Sequence, residues 1–211
     1  MNPSTKAFEL LEGHSAALFL AAGVLLTGYA ALNGVKAFTA TTVEPNLFEF
    51  GYVLGFLGLL GLYPRLVDRQ PWMARLGGGA AASGAVAISA FNVGHLAELV
   101  GVASDGLSGM PLFIVMALVG FVVGYLAIGT AALRSDAFPR RYGAVLLVPG
   151  VIVIFMLVHI AAGFDSLETA FVISAGQAMT HLAIGTTLRA AEAADDEEAE
   201  AEADVDAAAS D

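Results

Sequence analysis

The 211-residue chain contains no cysteine and only nine lysine and arginine residues. The first absence excludes disulfides, thiolate metal sites and cysteine nucleophiles. The small number of basic residues, with 20 acidic residues and a formal net charge of −11, excludes a nucleic-acid-binding surface. Walker loops, GxSxG elbows, HExxH motifs and dinucleotide fingerprints are also missing, and no cytoplasmic loop carries a paired acidic motif. The sequence therefore indicates no catalytic residues and favours a function other than catalysis, with enzymatic activity left open.

Apolar residues are abundant, at 57% of the chain, and the mean hydropathy is +0.76. They form six long segments, each about long enough to cross a ~30 Å hydrocarbon core as a helix. The sequence therefore predicts an all-α fold, a bundle of six transmembrane helices embedded in a lipid bilayer. The segments are 15–34, 47–64, 76–100, 111–133, 143–163 and 168–188.

The basic residues predict the orientation of this bundle. All of them except Lys36 lie in the terminal segments or loops of one side. Short loops rich in lysine and arginine stay in the cytoplasm, so we predict that both termini are cytoplasmic in a multi-pass protein of the cell membrane. No lysine or arginine falls within an apolar segment. This excludes a retinal Schiff base and a voltage sensor.

The acidic residues predict two regions, a six-helix transmembrane domain over 1–190 and a tail over 191–211. The tail consists largely of Asp, Glu and Ala. Because like charges at this density repel, we expect a disordered cytoplasmic tail, serving either solubility at high salt or docking of a basic partner. With few lysines, much Ala and Gly, and acidic loops, the whole chain resembles in composition the small polytopic membrane proteins of salt-in halophilic archaea. This resemblance indicates a habitat and no particular family.

Two GxxxG pairs, Gly51–Gly55 and Gly120–Gly124, indicate where helices approach closely. Small residues allow close backbone contact in lipid, where the hydrophobic effect does not drive association. The pairs predict either packing within the bundle or a homo-oligomer interface.

The histidines are the main candidates for cofactor binding. By depth they form a cytoplasmic pair, His14 and His181, and an outer pair, His95 and His159. Imidazole is a common axial ligand of haem iron. The arrangement resembles di-haem b-type membrane cytochromes and implies haem b bound by these four residues. It departs from the ascorbate-dependent members, whose ligands lie on four consecutive central helices.

The outer pair also allows a metal ion as the cofactor. Glu98 lies three residues after His95 and thus on the same helical face. Together with His159, and with Asp105 or Asp165 from adjoining loops, it predicts a His/carboxylate site suited to zinc or a non-haem metal. The alternative is a hydrogen-bonded pair at a helix end.

The sixth segment carries a polar stripe, Ser174, Gln177 and His181, at spacings of three and four. Such a stripe lines a substrate or proton path, or it forms hydrogen bonds that hold the bundle together.

Three functions follow from these patterns. We predict a structural or accessory subunit that contacts another membrane protein. A haem- or metal-binding electron-transfer protein and a small permease or channel are the alternatives.

Overall fold

The computed structural model describes residues 8, 10–39, 49–101, 111–164 and 166–209. Throughout these ranges the chain forms helices and short turns, without a β-strand, which confirms the all-α prediction. The helices are α1 (Ser15–Thr39), α2 (Phe50–Gly61), α3 (Tyr63–Val67), α4 (Pro71–Leu99), α5 (Pro111–Arg134, with a π-helical turn at Gly120–Gly124), α6 (Arg140–Ala161) and α7 (Leu167–Ala209).

The described residues of each of the six predicted apolar segments lie largely on helices. Four helices, α1, α4, α5 and α6, are long and apolar enough to cross a membrane. The other two segments differ for separate reasons. Helix α2 has only 12 residues, about 18 Å of helix, and the chain continues into α3 after a break at Leu62. Helix α7 is long, but Gln177, Thr180 and His181 lower its hydropathy.

The helices pack side by side, with α1 along α7, α2 against α1 and α4, and α5 between α4 and α6. Phe19, Phe56 and Tyr125 are fully buried at the centre. By contrast, α6 exposes Val151, Phe155 and Val158 on its outer face. An exposed apolar face of this kind is suited to contact with lipid.

Both GxxxG pairs are used within the chain. A Cβ atom at Gly55 would lie 2.6 Å from His181 Nε2, and one at Gly120 would lie 2.6 Å from the Cα atom of Gly84. Gly51 and Gly124 are buried as well. The GxxxG faces are therefore covered by neighbouring helices of the same chain. This agrees with the prediction of packing within the bundle.

The bundle has two chemically different ends. The arginine-poor end carries Glu49, the last turns of α4 and α6 and the first turns of α5 and α7. The arginine-rich end is the opposite one, where Arg65 of α3 is the central cation. Its Nε atom lies 3.0 Å from Glu12 Oε1, and its Nη2 atom lies 3.7 Å from Glu192 Oε1. The arginines of this end are Arg65, Arg69, Arg75, Arg134, Arg140, Arg141 and Arg189.

The acidic tail differs from the expectation of disorder. Helix α7 continues beyond its apolar part through Ala209, while residues 210 and 211 lie outside the described part of the chain. The physical reason is composition, because Ala and Glu are both strong helix formers. The contact of Glu192 with Arg65 also fixes the first turn of this extension to the bundle.

Candidate functional site: a cavity at the arginine-poor end

A cavity of about 510 Å³ lies at the arginine-poor end. Its lining comes from α2, α4, α5, α6 and α7, together with Glu49, which immediately precedes α2. Most of the lining side chains are aliphatic or aromatic, and the polar exceptions are Glu49, Tyr52, His95 and Gln177. A pocket of this volume, largely apolar with a few polar groups, is typical of a small-molecule site.

Gln177 supplies a buried acceptor to this cavity. Its side chain is 1% exposed, and its Nε2 atom donates a hydrogen bond to the carbonyl oxygen of Pro149 at 3.0 Å. Its Oε1 atom has no hydrogen-bond partner among the described residues. An unpaired buried acceptor costs about 1–3 kcal/mol. A ligand that donates a hydrogen bond would recover this free energy.

The charged groups of the cavity are Glu49 and His95. The Tyr29 hydroxyl donates to Glu49 Oε1 at 3.3 Å, and His95 Nδ1 lies 3.6 Å from Glu98 Oε2. Burial raises the pKa of the Glu49 carboxyl, while the nearby His95 and the bond from Tyr29 act in the opposite direction. One carboxyl therefore lies beside the His95 imidazole, and a second lines the same cavity. When both carboxyls are ionised, the net charge of this group is negative whether or not His95 is protonated.

Three aromatic rings, those of Tyr52, Phe91 and Phe121, line the cavity, and Phe56 and Tyr125 pack behind Phe121. Tyr52 meets Phe121 edge-to-face, with ring centroids 5.0 Å apart, and Phe56 lies 4.8 Å from Phe121. Phe121 belongs to the π-helical turn of α5 and stacks on Tyr125 at 6.4 Å. We did not predict a role for these residues from the sequence. The available signal was their spacing, since Tyr52 with Phe56 and Phe121 with Tyr125 are each four residues apart and so share a helical face.

A hydrogen bond between α5 and α7 lies one helical turn beyond Gln177 along α7. The Tyr125 hydroxyl oxygen is 2.8 Å from His181 Nε2, and His181 Nδ1 is 2.7 Å from the carbonyl oxygen of Gln177. Because a carbonyl can only accept, Nδ1 carries the proton and Nε2 accepts from Tyr125. Both side chains are 0% exposed. This pair, the Tyr125–His181 contact, separates the cavity from the arginine-rich end along α7.

The cytoplasmic histidine pair does not fit haem. Both ring nitrogens of His181 already take part in hydrogen bonds, so neither has a lone pair available for iron. His14 is exposed near the start of α1, where its Nδ1 atom lies 2.8 Å from the carbonyl oxygen of Leu10.

The outer histidines have different surroundings from each other. His95 lines the cavity and approaches Glu98, whereas the His159 ring lies 4.9 Å from Phe155 and 5.2 Å from Phe164. Across the described residues, no three His, Asp or Glu side chains form a group that could hold a metal ion. The hypothesis of a site built from His95, Glu98 and His159 thus finds no support. Asp105 and Asp165, its further ligands, lie outside the described residues.

The polar stripe of α7 faces the interior of the bundle. Ser174 is 2% exposed, donates to the carbonyl oxygen of Phe171 at 2.9 Å and lines a second cavity of about 150 Å³. Tyr52 and Met156 line both cavities. From Ser174 through Gln177 to His181, the stripe therefore follows the cavities down to the Tyr125–His181 contact.

We compared the chain with known protein families, curated proteins and solved structures, and it matches none of them.

Proposed function

We propose that this protein is a small membrane permease that takes a small, largely apolar molecule into the cavity at the arginine-poor end. The observation that carries the proposal is Gln177, a buried side chain that lines the cavity and has an acceptor without a partner. Burial of an unpaired acceptor costs free energy, so its position beside a 510 Å³ cavity favours a ligand that donates a hydrogen bond to it.

The polar stripe favours passage over simple storage. Its side chains continue beyond the cavity to His181 at the centre of the bundle. A ligand that leaves Gln177 would next meet the Tyr125–His181 contact. Opening of that contact would then be the step that connects the cavity with the arginine-rich end.

The proposal includes an orientation of the chain in the membrane. In it the chain crosses the cell membrane six times, with the pair α2–α3, residues 50–67, as the second crossing and the apolar part of α7 as the sixth. The arginine-rich end and both termini are cytoplasmic, as the positive-inside rule requires. The cavity accordingly lies in the outer half of the membrane.

Accessibility to a membrane-impermeant thiol reagent tests this proposal. Because the chain has no cysteine, each single-cysteine variant reports one position without background. We would label Ile173→Cys in the cavity and Val151→Cys on the exposed face of α6, in proteoliposomes sorted for orientation. We expect Ile173→Cys to react from the outside and Val151→Cys to remain unlabelled in lipid.

Two further variants control for orientation. Ala162→Cys is exposed at the arginine-poor end and should react from outside, whereas Asp136→Cys should react only after permeabilisation. If Ala162→Cys is labelled from the outside and Ile173→Cys, prepared in the same way, is not, the cavity is not accessible and the proposal is refuted. Labelling of Asp136→Cys from the outside would refute the orientation.

A further inference from the structure

We propose that the ligand of the cavity is an organic cation, an ammonium group on an apolar body. This inference rests on the proposed function and specifies its substrate class. It follows from the kind of polar groups that the cavity offers, which favour positive charge and hydrogen-bond donors.

The first argument is charge. Glu49 is the only carboxylate that lines the cavity among the described residues, and His95 lines the same cavity. Glu98 lies beside the same imidazole. Ionised, these two carboxylates outweigh the charge of one histidine in either protonation state. A cation is attracted to this group, and an anion is repelled by it.

The second argument is the lining itself. The rings of Tyr52, Phe91 and Phe121 contribute to the wall. Aromatic faces attract cations through the ring quadrupole, and they also accommodate an apolar body. The cavity thus suits both parts of an amphiphilic amine.

The third argument is the hydrogen-bonding capacity of Gln177. One N–H of its Nε2 atom is bonded to Pro149, and its Oε1 atom is the acceptor that lacks a partner among the described residues. An ammonium N–H can donate to this atom, whereas a carboxylate or phosphate has no proton to give. A neutral alcohol can also donate a hydrogen bond to Gln177, but it has no positive charge to be attracted by the Glu49 carboxylate.

A matched series of ligands separates these cases. We would measure binding of 4-phenylbutylamine, 4-phenylbutanol and 5-phenylpentanoate, which share a phenylbutyl group, by calorimetry with the purified protein in detergent. The amine should bind at least about tenfold more tightly than the alcohol, and the acid should bind more weakly than both. Glu49→Gln should reduce amine affinity by about tenfold. The control is Glu168→Gln, which removes an exposed carboxylate outside the cavity and should leave affinity unchanged.

Two cavity-filling variants distinguish the proposal that the cavity binds a ligand from the proposal that this ligand is a cation. Ala117→Leu places extra volume in the lining, and Ile114→Trp does so from a side chain that is 47% exposed and therefore tolerant of replacement. Both should abolish specific binding of every ligand. If the alcohol or the acid binds as tightly as the amine and these variants abolish binding, the cavity is a site but the cation assignment is wrong. If no ligand binds above the level of the filled variants, the binding function itself is refuted.

Discussion

Replacement of Gly120 by alanine tests the backbone crossing that shapes one wall of the cavity. Here α5 passes α4 so closely that a Cβ atom on Gly120 would lie 2.6 Å from Gly84 Cα and 3.0 Å from Phe56 Cζ. Carbon atoms in contact prefer about 3.5–4.0 Å, so the two helices would have to separate by roughly 1 Å. Since the main obstacle is backbone, no rotamer change can relieve the clash.

The magnitude follows from two opposing effects. Overpacking costs about 1–3 kcal/mol, whereas alanine in place of glycine gains about 1 kcal/mol of helix propensity. Gly79 of α4 offers a matched control, since a Cβ atom there would meet nothing within 4 Å. Because the propensity gain is similar in both variants, the difference between them isolates the steric cost. We expect Gly120→Ala to be about 1–3 kcal/mol less stable than Gly79→Ala.

The assay is equilibrium unfolding in mixed detergent–SDS micelles, followed by circular dichroism. The free energy of unfolding of both variants would be compared with that of the wild type. Gly79→Ala should be equal to or slightly more stable than the wild type. The reasoning fails if Gly120→Ala is as stable as Gly79→Ala, because the two helices would then not be in backbone contact at this point.

Three further predictions concern the site and the arginine-rich end. Tyr125→Phe leaves a buried imidazole acceptor unpaired and should lower the free energy of unfolding by about 1–2 kcal/mol in the same assay, where an unchanged value would contradict the bond. Arg65→Gln should cost up to about 1 kcal/mol more than Arg75→Gln, since Arg65 is partly buried between two carboxylates while Arg75 is exposed; equal losses would contradict this. Amine binding should weaken as the pH falls, starting above 4.5, because burial raises the pKa of Glu49 and protonation removes its charge. Calorimetry against pH should show this loss in a His95→Asn background and not in Glu49→Gln.

The sequence predicts the helices well because each helix is determined by residues that are neighbours in the sequence. A run of apolar residues long enough to cross lipid forms a helix, since its backbone polar groups have no other partners there. Only the ends and one interruption differ. Helix α1 continues to Thr39 where we predicted 34, and the second segment divides at Leu62, just before Pro64. A proline suits the first turn of a helix, so it marks the start of α3.

The candidate site is less predictable because it depends on contacts between residues that are far apart in the sequence. The stripe of Ser174, Gln177 and His181 follows from spacing, and the structure places all three inside the bundle. The contact of His181 with Tyr125, in contrast, joins residues 56 positions apart. It depends on how α5 and α7 are placed relative to each other. That placement involves the π-helical turn at Gly120–Gly124, which no spacing rule indicated.

The histidines show how the same residues acquire different roles once partners are known. From depth alone they form two pairs, which favours haem. In the structure each has its own surroundings: His14 is exposed, His95 lines the cavity, His159 contacts phenylalanine rings and His181 is held by two hydrogen bonds. Each haem of the two predicted pairs needs two imidazole nitrogens with a free lone pair, and His181 offers none while it keeps both of its hydrogen bonds.

In helix α7 the same residues determine both the hydropathy of the helix and the proposed ligand site. Its membrane signal is weaker than that of α1, α4, α5 or α6, because Gln177, Thr180 and His181 replace apolar residues in its span. In a bilayer those side chains cost free energy unless the bundle encloses them, and here all three are buried. In the proposed sixth crossing, Thr180 and His181 are hydrogen-bonded within the bundle, whereas the unpaired acceptor of Gln177 beside the cavity favours a ligand. The weak hydropathy of α7 and the proposed site are therefore two consequences of the same residues.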